Sequence, residues 1–185
     1  DYKHLFPNES IFLPKLSPAF AQYDFRKVSK AIQDQGHLTQ GQFESIANWH
    51  TGTDNYSRRY ASTKVENITS RVISNPVNLP RQVDDLTGLR GISVGVASAV
   101  LAIIFPDEYG IIDSQSWRAA MLHLTNKTKF NNYSEYVSFL KEYHGGFGVK
   151  TYSDYVDTLQ STASNTPYNV REINMALLAY DEQNR

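Results

Sequence analysis

The chain reads as an all-α domain. Apolar residues recur three and four positions apart in most segments, and no segment sustains the alternation of a half-buried strand. The stripes are also punctuated like helices, opening on capping residues and closing on glycine or Asn-Pro. At 185 residues and 41% hydrophobic composition, with twelve tyrosines and nine phenylalanines, residues 1–185 can bury one sizeable core as a single domain.

Residues 1–16, with Pro7 and Pro14, predict an irregular N-terminal arm. Ser17-Pro18 predicts a helix start, a hydroxyl cap followed by a proline whose missing N–H costs nothing there. Ala21, Phe25, Val28 and Ile32 then make one stripe, closed by Gly36. Thr39-x-x-Gln42 has the form of a capping box, ahead of Phe43, Ile46, Ala47 and His50 on one face with Trp49 beside it. Thr51 to Asn55 is a polar loop. A third helix is predicted from Ser62 to Ile73, with Val65, Ile68, Val72 and Ile73 inward, stopped by Asn75-Pro76. Pro80 opens a short helix carrying Val83 and Leu86.

A turn over Leu89 to Ser93 leads into an apolar helix from Val94 to Phe105, halted by Pro106. Ile111-Ile112 then ends on Asp113, placed to cap a helix carrying Trp117, Ala120, Met121 and Leu124. Residues 126–132 read as a loop. Tyr133, Tyr136, Val137, Leu140 and Tyr143 give another stripe, ended by Gly145-Gly146. Tyr155, Val156 and Leu159 predict a short helix, and Asn169-x-x-Glu172 caps the last one, with Ile173, Leu177 and Tyr180 inward.

Composition excludes several chemistries. Without cysteine there is no disulfide, iron–sulfur cluster or cysteine–zinc site. His50, His123 and His144 have no partners at ligand spacing, so no metal site is expected. The net charge of −1 gives no overall basic field. Charge is nevertheless sorted along the chain. Arg58, Arg59, Lys64, Arg71 and Arg81 face a single acid, Glu66, between Asn55 and Val83, whereas the stretch from Thr151 is acidic. No basic start followed by an apolar block opens the sequence, and the twelve-residue run Val94–Phe105 falls short of the roughly 20 residues a membrane span needs. An intracellular, cytoplasmic protein without a membrane partner is therefore expected.

The stretch from Leu86 to Arg118 carries the functional reading. Gly91 permits a positive φ and close approach of another backbone. The helix after it aims unpaired N–H groups and its positive dipole end outward, which suits a phosphate. Taken singly, each feature also has a plain structural use. Asp113 is a helix cap, Gly91 and Gly95 let helices pack closely, and Trp49 and Trp117 lie beside apolar stripes as core residues do.

Leu89-Arg90-Gly91-Ile92-Ser93-Val94-Gly95-Val96-Ala97 resembles the helix-hairpin-helix element. With the apolar helix, the Pro106–Gly110 turn and Ile111-Ile112-Asp113-Ser-Gln-Ser-Trp117-Arg118, residues 79–120 resemble the helix-hairpin-helix superfamily of base-excision DNA glycosylases. Phe43–Trp49 and Arg171–Tyr180 also look like uncharacterised bacterial proteins that carry this hairpin. The resemblance implies an all-α, glycosylase-like fold that grips double-stranded DNA by its phosphates. It implies hydrolysis of an N-glycosidic bond after the base is turned out of the stack, with Asp113 catalytic. Arg90, Gly91, Ser93, Gly95, Arg58 and Arg59 are the implied DNA contacts. Trp49, Tyr56, Tyr60 and Trp117 are the implied base pocket, and Arg118 fills an arginine-like slot after the acid. No cofactor is implied, although the hairpin admits a monovalent cation. A DNA-bound member would be nucleoid-associated.

The chain departs from the pattern at Arg90, where proline is usual, and at Ser93, where a second glycine is usual. Asp84 lies near the slot in which bifunctional members keep a lysine, so a monofunctional enzyme is expected. A non-catalytic DNA-binding module, or an interaction protein reusing the scaffold, stands as the alternative.

Overall fold

A computed structural model describes residues 25–56, 59–123 and 146–183. The predicted arm, the helix start at Ser17-Pro18, Arg58, Leu124, the 126–132 loop and the stripe from Tyr133 to Tyr143 lie outside the described residues. Those residues form eight helices and no strand, as the spacing of apolar side chains predicts. The helices are α1 (Phe25–Gln35), α2 (Gln40–Thr51), α3 (Ser62–Ser74), α4 (Leu79–Thr87), α5 (Val94–Ile104), α6 (Ser114–His123), α7 (Val149–Ser164) and α8 (Val170–Gln183).

Local signals set the boundaries. Gly36 follows α1 with φ +77°. Thr39 and Gln42 close a reciprocal capping box on α2, the Gln42 N–H reaching Thr39 Oγ1 at 3.2 Å and the Thr39 N–H reaching Gln42 Oε1 at 2.9 Å. Asn78 Oδ1 accepts from the Arg81 N–H at the start of α4, beside Pro80. Asn169 and Glu172 form the matching box before α8. Helix α7 runs sixteen residues, well past the short helix predicted around Tyr155. Its outer face is polar, with a Lys150–Asp154 pair and Thr158 bonded one turn back, so hydrophobic periodicity marks only its middle.

Helix α5 is the centre. Every residue from Val96 to Ile104 is buried, and α1, α2, α4 and α7 pack around it. Alanines at 97, 99 and 102 let those neighbours come close, and the larger aliphatics fill the gaps, each stabilising the fold by about 1.5–3 kcal/mol when fully buried. The carbonyl of Ile104, which the end of α5 leaves without a helical partner, accepts from Ser29 Oγ at 2.6 Å and Gln33 Nε2 at 2.7 Å of α1. Helix α8 closes the far side against α6 and α7. It is tied to α6 by a bidentate pair between Arg118 and Asp181, of which the acid is fully buried.

Candidate functional site

Two turns of backbone define the candidate site, one before α5 and one before α6. The first is Gly88–Ser93. Leu89 and Ile92 anchor it in the core, and the Ile92 N–H bonds the Leu89 carbonyl at 3.0 Å. Gly91 takes φ +88°, so a side chain there would be strained. Ser93 caps α5 by accepting from the Val96 N–H at 3.3 Å.

Two phenols brace this turn from the α2–α3 connection. Tyr60 donates to the Arg90 carbonyl at 3.1 Å and Tyr56 to the Gly91 carbonyl at 3.2 Å. The Tyr60 ring is 8% exposed and stands edge-on to Phe43, so it is a core residue, whereas Tyr56 is half-buried. Arg59 lies across the turn. Its guanidinium carbon is 5.7 Å from the Tyr56 ring centre, and a Cβ on Gly91 would come within 2.9 Å of its Nη2. The open side of Gly91 is therefore covered by the protein's own Arg59 guanidinium, where the sequence suggested room for a backbone. Arg90 is exposed at the tip. Carbonyls of Leu89, Arg90 and Gly91 already accept protein hydrogen bonds, which a cation at this turn would have to share.

The second turn, Gly110–Asp113, belongs to no helix or sheet, so side chains must satisfy its backbone. Tyr152 of α7 donates to the Gly110 carbonyl at 3.0 Å. Asn174 of α8 accepts from the Ile111 N–H at 2.8 Å and donates to the Ile111 carbonyl at 3.1 Å. Ser98 of α5 accepts from the Ile112 N–H at 3.0 Å. Ser116 of α6 accepts from the Asp113 N–H at 3.3 Å. Four helices thus hold one short segment, and Gly110 lies where a Cβ would fall on Leu159 and Asn174.

Asp113 stands at the end of this segment, half-buried. Its Oδ1 accepts from the Gln115 and Ser116 N–H groups at 2.8 and 2.7 Å, and lies 3.1 Å from Ser116 Oγ. This is the predicted cap of α6. Its Oδ2 takes no hydrogen bond from any described residue. Behind it Tyr155 is fully buried. Burial holds its phenol far above the ordinary tyrosine range, a Ser116 hydrogen bond opposes that, and the Asp113 charge adds to it. Tyr155 therefore stays a neutral group.

One hydroxyl joins the start of α5 to the second turn. Ser98 donates to the Gly95 carbonyl at 2.6 Å and accepts from the Ile112 N–H. The first turn of α5 and the segment carrying Asp113 are therefore fixed to each other. His50 of α2 completes the junction. A Cβ on Gly95 would sit 3.2 Å from His50 Nε2, 3.6 Å from the Ile112 carbonyl and 3.7 Å from Ser93 Oγ. Burial lowers the His50 imidazole below its ordinary value, with the Asp113 carboxylate acting in the opposite sense.

Of the residues singled out from sequence, the structure brings Arg59, Tyr56, Tyr60, Arg90 and Gly91 together at the first turn, with Ser93 and Gly95 near the Ile112 carbonyl, one residue before Asp113. Trp49 is partly buried next to His50, with ring centres 6.5 Å apart. Trp117 is partly buried against Phe147 at 5.9 Å. The remaining basic window disperses: Arg71 pairs with Asp85 at 2.8 Å, and Lys64 and Arg81 are exposed. Ser98 and His50 went unmarked as functional candidates. Ser98 signals itself as a hydroxyl inside an otherwise apolar run, and His50 as the polar member of the inward face of α2. Comparison of the chain with protein-family models, curated proteins and solved structures finds no match.

Proposed function

We propose that this protein binds duplex DNA through the turn before α5 and hydrolyses an N-glycosidic bond with Asp113, as a monofunctional glycosylase. The observation that carries the reading is the Ser98 bridge, which locks a phosphate-suited helix start to a carboxylate with one unbonded oxygen. The first N–H groups of α5, with Arg59 and Arg90, would hold the backbone phosphates. Asp113, ionised, would stabilise positive charge developing on the sugar and orient a water towards the anomeric carbon, as carboxylates do in glycoside hydrolysis. Trp49, Tyr56 and Trp117, each half-buried, are the aromatics that would face an extruded base. Tyr60 instead serves to brace the turn.

The test is a panel of lesion-bearing duplexes assayed for abasic product with wild type and Asp113→Asn. Asparagine caps helices about as well as aspartate, so the fold should persist. Loss of product with retained DNA affinity is expected, and undiminished product in the variant would remove Asp113 from the chemistry. A second reading, a DNA-binding module without chemistry, is favoured by one observation: every hydrogen bond to Asp113 comes from the start of its own helix. It predicts salt-sensitive duplex binding, weakened in Arg90→Ala, and no product from any lesion.

A further inference from the structure

We infer that His50 is the proton acceptor for the attacking water, a role that rests on the glycosylase reading above. The placement argues for it. His50 Nε2, the Ile112 carbonyl and Ser93 Oγ converge on the space that Gly95 leaves by having no side chain. Ile112 immediately precedes Asp113, whose carboxylate acts electrostatically on His50. Among the described residues nothing hydrogen-bonds the imidazole, so its lone pair is uncommitted. A carboxylate needed as an anion beside a developing cation cannot also keep the water's proton without losing its charge, and a neighbouring neutral imidazole removes that conflict.

The step balances. The water oxygen bonds to the anomeric carbon as the carbon–nitrogen bond breaks, and the bonding electrons leave with the base. His50 Nε2 takes the water's proton and becomes imidazolium. That proton then passes, directly or through solvent, to the departing base. Asp113 is ionised at the start and at the end.

The imidazole is suited to this by its surroundings. Burial keeps it neutral near pH 7. Of the elements packed against α2, α5 carries no titratable side chain, and α3 carries Lys64, Glu66 and Arg71, none of which acts on His50. The facing charge is Asp113, with the neutral Tyr155 behind it.

Two measurements on the full chain test the role. In the first, the His50 ring is titrated by NMR in wild type and Asp113→Asn, which needs no substrate. Loss of the carboxylate should lower the His50 midpoint, and an unchanged midpoint overturns the pairing. In the second, single-turnover base release is followed against pH. Wild type should lose activity on the acid side with a midpoint matching the NMR value. His50→Gln should be slower by about 10²-fold or more at the plateau and should lack that acid limb. A wild-type limb that does not track the NMR midpoint, or a variant that keeps the wild-type rate or limb, overturns the role while leaving Asp113 in place. Wild type inert on every duplex overturns the glycosylase reading and this role together, whatever the titration reports.

Discussion

Replacing Asn174 by alanine removes the clamp that α8 places on the segment before α6. The side chain is nearly buried and makes three hydrogen bonds, to the Ile111 N–H at 2.8 Å, the Ile111 carbonyl at 3.1 Å and the Tyr155 hydroxyl at 2.7 Å. In the variant the Ile111 carbonyl keeps Ser116 Oγ at 3.1 Å, but the Ile111 N–H keeps nothing. One stranded, part-buried donor plus the lost neutral bonds should cost about 2–3 kcal/mol. In a domain of this size that lowers the melting temperature by about 4–10 °C. Urea unfolding, read by tryptophan fluorescence and far-ultraviolet dichroism, should show an earlier midpoint with an unchanged slope. Gln160→Ala is the control. It also deletes a side-chain bond to a backbone carbonyl, that of Glu108 at 2.9 Å, but at an exposed site, and should stay within about 0.5 kcal/mol of wild type. If Asn174→Ala is no more destabilising than that control, the segment before α6 is held by something other than the clamp.

Two further outcomes follow from buried groups. Arg118→Met removes the guanidinium that faces the fully buried Asp181 and should cost about 3–5 kcal/mol, whereas Arg118→Met combined with Asp181→Leu should recover most of that loss. A double variant as unstable as the single one would mean the pair acts through more than its charges. Burial raises Tyr109 to about 12, with Glu108 adding to the shift, and its hydroxyl lies against two acceptors, the Pro76 carbonyl and Gln82 Oε1. Its folded value exceeds the unfolded one, so its contribution is complete below about pH 10 and is lost as the pH rises towards 12. The stability difference between wild type and Tyr109→Phe should therefore shrink across that window in urea titrations, and a constant difference would contradict it.

The helices were legible because their signals are local. The Thr39–Gln42 and Asn169–Glu172 boxes, the Asn75-Pro76 stop and the Ser93 and Asp113 caps all involve neighbours within four residues, and each lies where the sequence puts it. The site was only half legible. Gly91, Ser93 and Asp113 declare themselves by local pattern. What fixes their mutual position, Ser98 to Ile112 and Asn174 to Ile111, depends on contacts 14 and 63 residues apart. Arg118 shows the same limit: the resemblance puts it in an arginine-like slot after the acid, and its partner Asp181 ties α6 to α8. Tyr60 looked like one of several aromatics around a base, and only its packing on Phe43 separates it from Tyr56.

The dependence of Asp113 on α8 also has a temporal side. Ile111 waits for Asn174, and Arg118 for Asp181, each 63 residues later in the chain. During synthesis α5 and the turn before it can fold well before either partner has emerged. The segment carrying Asp113 is therefore fastened only after α8 has followed it out of the ribosome.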